Sequence, residues 1–310
     1  MRVLVAGSTG LAGSAIAKFL KSLNIEVIEC STKIVNLLQR KETFEFISAV
    51  RPDAIIDAAA KVGGIGANKS SPVEFLSQNL QIQTNLMDAA HHANVDRFVF
   101  LGSSCIYPKF ADQPIAETSL LSGYLEETNK SYSIAKIAGI QLIDSYREEY
   151  GRNWVSVMPT NLYGPGDNFD IESGHVLPVL VNRFVSAKNM GDRTVTLWGD
   201  GSPLREFLHV DDLAEAIWLI LENYNEFGPI NLGGGEEVTI AKLAKDIGRI
   251  SGFSGQIIWD TSKPNGTPRK LLNSTRIRAL GWAPKISLEN GLKRTIHEYR
   301  DSLSGIGSNL

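Results

Sequence analysis

The sequence predicts an α/β fold, a doubly wound parallel sheet with a smaller, interleaved C-terminal region. Three observations predict it. Short apolar runs at 3–6, 26–29, 54–58, 98–101 and 155–158 alternate with helix-length amphipathic stretches such as 13–23. Within most of these runs the apolar residues are continuous rather than alternating, as in strands buried on both faces of a parallel sheet. A glycine-rich turn separates the first run from the first helix, and ligands in such sheets bind at the carboxyl ends of the strands.

Taken in chain order, the first element of interest is that turn, Gly7-Ser8-Thr9-Gly10-Leu11-Ala12-Gly13. Its G-x-x-G-x-x-G spacing permits a tight bend and close backbone approach, and the helix N-terminus behind it offers free N–H groups to a pyrophosphate. The first half is therefore expected to be a Rossmann-type dinucleotide-binding scaffold. After the second run come Glu29-Cys30-Ser31-Thr32-Lys33. Glu29 could serve the ribose hydroxyl of NAD, whereas Ser31, Thr32 and Lys33 could hold a 2′-phosphate, and Glu29 and Lys33 could equally be a solvated loop edge.

The run at 98–101 ends in Gly102-Ser103-Ser104-Cys105 and so delivers hydroxyls and a thiol to the ligand-binding edge. Further on, Tyr132-Ser133-Ile134-Ala135-Lys136 sets a phenol and an ammonium four residues apart, on one face of a helix. A lysine charge beside a tyrosine favours the phenolate, which predicts a Tyr132 pKa drawn down toward the working range for proton exchange with a carbonyl oxygen. Each motif alone has an ordinary explanation: a strand-to-helix turn, a turn-forming serine, a chance Tyr/Lys pair. Their joint order is much harder to explain that way.

Past Asn161 the pattern breaks into the Gly/Pro/Asp-rich stretch 163–174, followed by a helix near 176–187 and a strand near 195–201. Scaffold elements resume at 207–222 and 229–232, with His209-Val210-Asp211-Asp212-Leu213 reading as a capped helix start. The expected division is thus 1–162 with about 205–234 for the scaffold, and 163–204 with 235–310 for a substrate-binding domain. The small, polar tail 302–310 is expected to be poorly ordered.

Composition limits the function. Of 310 residues, 31 are Lys or Arg and 34 Asp or Glu, a net charge of -3, so no general positive field draws nucleic acid or an anionic membrane. No targeting or membrane-spanning segment is read, and a cytoplasmic location is expected. Cys30 and Cys105 lie in separate segments without a C-x-x-C pattern, which suggests neither a disulfide framework nor a metal site. An anionic ligand would need local cations, and Arg183, Arg205, Lys263, Arg269 and Lys270 are candidates, Arg205 foremost because the apolar Phe207-Leu208 follows it.

With these residues in view, the chain resembles the extended short-chain dehydrogenase/reductase family over nearly its whole length. Ala60-Lys61-Val62-Gly63-Gly64-Ile65, Gly102-Ser103-Ser104-Cys105-Ile106-Tyr107-Pro108, Met158-Pro159-Thr160-Asn161-Leu162-Tyr163-Gly164-Pro165 and Lys263-Pro264-Asn265-Gly266-Thr267-Pro268-Arg269-Lys270 are similar to signatures of the branch that acts on a GDP-sugar. The resemblance implies a GDP-4-keto-6-deoxy-D-mannose substrate, epimerised at C3 and C5 and reduced at C4 by NADPH, in a homodimer built from scaffold helices. It implies Ser103, Tyr132 and Lys136 for reduction and Cys105 and His175 for epimerisation. From the residues themselves, NADP(H) is expected on residues 7–13, Lys33, Tyr132, Lys136 and Asn161, and the sugar nucleotide on Arg183, Trp198, Arg205, Lys263 and Arg269. Ser8-Thr9 stand where this branch often carries His-Arg, and Cys30 and Thr32 stand where it carries arginines, so relaxed selectivity for NADPH is expected. Which of Cys105 and His175 is base and which acid stays open.

Three rival activities fit the same scaffold less well. A nucleotide-sugar 4,6-dehydratase shows an Asp-Glu pair where Ser104-Cys105 stands, and elimination needs that acid. A 4-epimerase has no need of a Cys and His pair. A non-catalytic NADP-binding regulator would keep the glycine loop but have no use for Ser103, Tyr132 and Lys136 together.

Overall fold

The computed structural model describes residues 1–263 and 265–305. The N-terminal half alternates strands and helices: β1 (Arg2–Ala6), α1 (Leu11–Ser22), β2 (Glu26–Cys30), α2 (Arg40–Val50), β3 (Ala54–Asp57), α3 (Ile65–Ser70), α4 (Pro72–His92), β4 (Arg97–Leu101), α5 (Lys130–Tyr150), β5 (Asn153–Pro159) and β6 (Asn161–Tyr163). Then follow α6 (Val176–Met190), β7 (Thr194–Trp198), β8 (Leu204–His209), α7 (Val210–Asn223), β9 (Pro229–Leu232), β10 (Glu237–Thr239), α8 (Ile240–Ile250), β11 (Gln256–Asp260), β12 (Arg269–Lys270), α9 (Thr275–Ala279) and α10 (Leu288–Leu303).

Six strands form one sheet in the order β2-β1-β3-β4-β5-β9, every pairing parallel. The continuous apolar runs are explained by burial on both sides, since successive side chains of a strand point to opposite faces. Val3 and Val5 join Ile16 and Leu20 of α1 and Leu213 and Ile217 of α7 in one core. Leu4 and Ala6, one residue out of phase, join Ile47 of α2, Leu86 of α4 and Ile140 of α5 in the other. The chain runs from β1 outward to β2, then crosses back to β3 on the opposite side of β1. That reversal opens a crevice above the ends of β1 and β3.

A second, smaller body lies beyond the sheet. There β8 pairs with β10, β12 and β6, β7 pairs with β11, and Tyr163, Phe184, Leu243 and Leu292 share a third core. Two boundaries differ from the sequence expectation. β8, expected to return to the scaffold, hydrogen-bonds within the smaller sheet, so the return begins at α7. Ile277 and Trp282, expected in the substrate region, pack in the core of the large sheet because α9 lies beside β9. Of the tail, α10 continues to Leu303, and residues 306–310 lie outside the described ones.

Candidate active site

The glycine turn sits directly above the crevice. Gly7 has φ +76°, and a Cβ there would lie 2.8 Å from the Ala58 carbonyl oxygen; a Cβ on Gly13 would lie 2.1 Å from the Gly7 oxygen. Any side chain at either position would push the turn off β3 or off α1. The first turn of α1 has no side-chain cap and no acidic residue. Its amides and the helix dipole therefore face the crevice uncompensated, which fits a dinucleotide pyrophosphate. Ser8 departs from its expected role: it is buried, and its amide and hydroxyl both donate to the Cys30 carbonyl, at 3.1 and 3.3 Å. It braces the turn. Glu29 is ion-paired with Lys21, while Lys33 is exposed beyond the end of β2. The arrangement favours the 2′-phosphate reading of that segment over the NAD reading, because the carboxylate is already neutralised by a cation.

Across the crevice, β4 ends at Leu101 and Ser103 follows in extended backbone, its hydroxyl accepting the Cys105 amide at 3.3 Å. Ser133 on α5 donates to the Cys105 carbonyl at 2.9 Å and so ties the Cys105 turn to the helix that carries Tyr132 and Lys136. Lys136 is buried, with Nζ donating to the Leu101 carbonyl at 2.8 Å and standing 4.6 Å from the Phe100 ring centroid. Burial pushes its pKa down to about 8, and the Asp57 carboxylate opposes that shift.

Tyr132 behaves differently from the expectation drawn from its spacing. Burial, then Cys105, push the phenol above its usual range, and the Ser103 hydroxyl only partly offsets them. The Lys136 ammonium is drawn toward the Leu101 carbonyl and stays 5.9 Å from the Tyr132 ring centroid. In the free protein Tyr132 is thus a neutral proton donor, the form that reduction of a carbonyl needs.

Cys105 is the meeting point of the two bodies. Asn129 Nδ2 lies 3.4 Å and Lys270 Nζ 3.7 Å from its sulfur. His175 is the exposed N-cap residue of α6. The atoms packed around the ring and the Lys270 ammonium both hold the imidazole below its usual value. Thiol, phenol and Ser103 hydroxyl therefore gather at one cleft between the large sheet and the smaller body, and His175 stands near enough to Lys270 to be influenced by its charge.

The expected substrate cations separate into two groups. Arg205 is mostly shielded and donates to the Leu204 carbonyl at 2.8 Å. Arg269 instead turns outward into a bidentate pair with Glu237, at 2.7 and 2.5 Å. Its neighbour Lys270 is the register partner of Arg205, so those two side chains leave the sheet on one side. The residues 263–270 thus meet the site through Lys270, although Arg269 was expected there. Arg183 is bound to the Thr196 carbonyl at 2.8 Å, Trp198 is 61% exposed with Lys263 Nζ 5.8 Å above its ring, and Asn161 donates to the Glu206 carbonyl at 2.9 Å. Asn129 was missed from the sequence; its position one helical turn before Tyr132 was the available signal. His209 caps α7, accepting the Asp211 amide at 3.2 Å. Among the described residues no His/Cys/Asp/Glu cluster suits a metal ion, and no helix is long and apolar enough to cross a membrane.

Residues 3–233 match the model of the NAD dependent epimerase/dehydratase family. The chain belongs to that family. Within it, the chain is 50% identical over 304 residues to "Probable GDP-L-fucose synthase 1" of Oryza sativa subsp. japonica, covering 97% of this chain and 93% of the relative. It is 47% identical over 304 residues to the "GDP-L-fucose synthase" of Escherichia coli (strain K12), covering 95% of each. Among solved structures of the family, a GDP-L-fucose synthetase from Naegleria fowleri bound to NADP superposes with a TM-score of 0.90 at 28% identity, covering 99% of this chain and 96% of that one. The family's dinucleotide fold is the six-stranded sheet described above.

Proposed function

We propose that this chain is a GDP-L-fucose synthase, an NADP-dependent epimerase-reductase that converts GDP-4-keto-6-deoxy-D-mannose to GDP-L-fucose. One observation carries the reading. A cysteine flanked by Lys270 and Asn129 shares a cleft with Ser103, Tyr132 and Lys136, so groups for proton transfer at carbon stand beside groups for proton transfer at a carbonyl oxygen. A reductase alone has no need of the first set.

The glycine turn, the α1 amides, Lys33 and Lys136 would hold NADPH, which when bound supplies the hydride for C4 reduction. The remaining chemistry belongs to the chain. A C4 ketone acidifies the protons on C3 and C5, and Ser103 and Tyr132 donate hydrogen bonds to the oxygen on which charge develops. Cys105 and His175 remove and return the carbon-bound protons from opposite faces, which inversion requires. Inverting one centre leaves the two groups with their protons exchanged, so one loses a proton to water and the other takes one up before the second centre is inverted. Tyr132 then gives its proton to the C4 oxygen. Arg205 and Lys263 supply positive charge for the diphosphate, with Trp198 as an exposed aromatic face beside Lys263.

We further propose a cytoplasmic homodimer built from scaffold helices, in which the tilted ring cluster of His91, Tyr146 and Tyr150 at the ends of α4 and α5 offers an aromatic surface. The deciding experiment mixes the protein with NADPH and pure GDP-4-keto-6-deoxy-mannose and follows nicotinamide absorbance. The expected result is stoichiometric loss of NADPH with GDP-L-fucose as product. Persistence of NADPH would overturn the assignment.

A further inference from the structure

Asp57 ends β3 at the floor of the crevice, in register with Ala6 of β1 on one side and Phe100 of β4 on the other. It is completely buried. Oδ1 accepts the Ala59 amide at 3.1 Å, while among the described residues Oδ2 has no hydrogen-bond partner. An isolated carboxylate buried in this way is costly unless an opposite charge offsets it. Lys136 has the mirror-image difficulty. Its ammonium is buried against a carbonyl and an aromatic ring, and no carboxylate forms an ion pair with it among the described residues.

Lys136 extends from α5 to the end of β4, the strand paired with the β3 that carries Asp57. Lys136 reaches the carbonyl of Leu101, the residue after Asp57's register partner Phe100. The other titratable groups around the carboxylate leave it no alternative partner. Cys30, at the end of β2, has its thiol pushed up to about 12 by burial and by Asp57, so it stays neutral. Tyr132 is likewise held neutral, while β1 and β4 contribute Ala6 and Phe100.

We propose that Asp57 is the buried counter-charge of Lys136, a positioning residue that keeps the lysine an ammonium beneath the cofactor and Tyr132 and thereby sets the alkaline limit of cofactor binding and reduction. The proposal rests on the reading of Lys136 as part of the reductase site. Burial pushes the Asp57 carboxyl up to about 6 and lowers Lys136 to about 8, and each opposes the shift of the other. The pair is doubly charged between those limits, which brackets neutral pH. Loss of the carboxylate leaves the ammonium with a carbonyl dipole and a ring face, so its proton departs at lower pH. Strand-end packing alone predicts no such coupling.

The test follows Lys136 directly in protein labelled with 13Cε-lysine, its resonance identified by its disappearance in Lys136→Arg. In the unmutated protein that resonance should show its own titration near pH 8 and a second inflection near pH 6 as Asp57 takes up a proton. Absence of the second inflection overturns the proposal without any Asp57 variant being needed. In Asp57→Asn, and in Asp57→Val with its different packing, the Lys136 midpoint should fall by at least one pH unit, and NADPH affinity, read by fluorescence without sugar, should fall off at correspondingly lower pH. A folded variant that keeps the original midpoint, or moves it upward, overturns the proposal. Because none of these readouts uses the sugar substrate, failure of the GDP-L-fucose synthase reading would leave them unaffected, while failure of the counter-charge would leave turnover of the sugar intact.

Discussion

The ammonium of Lys270 lies 3.7 Å from the sulfur of Cys105, joining two residues 165 positions apart in the chain. Negative charge that develops on the sulfur as it gives up its proton is offset by a cation at that distance, and burial and the same cation disfavour a proton on His175. Replacing Lys270 by Met should therefore slow solvent exchange at C3 and C5 by about 100-fold, the lower end of what general acid–base catalysis contributes. NADPH affinity should stay unchanged, since Lys270 stands on the smaller body and away from the glycine turn. Deuterium incorporation into the sugar, read by mass spectrometry, measures the first; exchange at the unmutated rate would remove Lys270 from the chemistry.

The neighbouring cation should behave oppositely. Arg205 faces the cleft and is mostly shielded from solvent, whereas Arg269 is engaged with Glu237 on the outer side. Arg205→Ala should weaken GDP binding by about 2 kcal/mol, on the scale of a hydrogen bond to a charged group. Arg269→Ala should change it by less than about 0.5 kcal/mol. Calorimetric titration of the two folded variants with GDP separates them, and equal losses would contradict the strand geometry.

That pair also shows how far the sequence could be read. The large sheet and the order of glycine turn, Ser103, Tyr132 and Lys136 were legible because each depends on local spacing: a strand end, a helix face, a tight turn. Lys270 was not singled out over Arg269 because alternation on a strand only two residues long leaves no periodicity to read. Its register against Arg205 comes from pairing with a strand more than sixty positions away. The same limit applies to Tyr132. Spacing placed Lys136 on its face, but the acceptor that draws the ammonium aside, the Leu101 carbonyl, belongs to β4. Ser8 was read as a ligand contact because nothing local announces that the Cys30 carbonyl takes both of its donors.

Stability should carry a pH signature from a carboxyl outside the catalytic cleft. Burial, reinforced by Glu298, pushes Asp167 up from 3.8 to about 7, against a hydrogen bond from the Asn168 amide. Its Oδ2 has no hydrogen-bond partner among the described residues. The folded chain holds this proton more tightly than the unfolded chain, so the cost of ionising Asp167 is absent below about pH 4 and grows as pH rises toward 7. Asp167→Asn keeps the acceptor for Asn168 and removes that cost. The variant should match the unmutated protein in urea denaturation near pH 4 and exceed it by on the order of 2 kcal/mol at pH 8, allowing for solvent screening. Equal stability at both pH values would show that Asp167 ionises without penalty.

Epimerisation and reduction should be separable by mutation, because the two steps draw on differently placed groups in one cleft. Tyr132 delivers a proton to oxygen, and its phenol is held protonated by burial. Tyr132→Phe keeps the ring against Phe75, whose centroid is 6.4 Å away, and removes only the hydroxyl. Such a variant should lose C4 reduction by at least about 100-fold, yet still admit solvent deuterium at C3 and C5, since Ser103 remains to stabilise the developing oxygen charge. Cys105→Ser should do the reverse. A serine hydroxyl in place of the sulfur keeps the contacts to Asn129 and Lys270 but is far harder to ionise, so carbon-bound protons should no longer exchange while the reductase groups stay in place. Each variant is incubated in deuterated water with and without NADPH, and the recovered sugar nucleotide is weighed by mass spectrometry. A Cys105→Ser enzyme that incorporates deuterium as fast as the unmutated protein would return the thiol to a packing role, and a Tyr132→Phe enzyme that still consumes NADPH would move the oxygen proton to another donor.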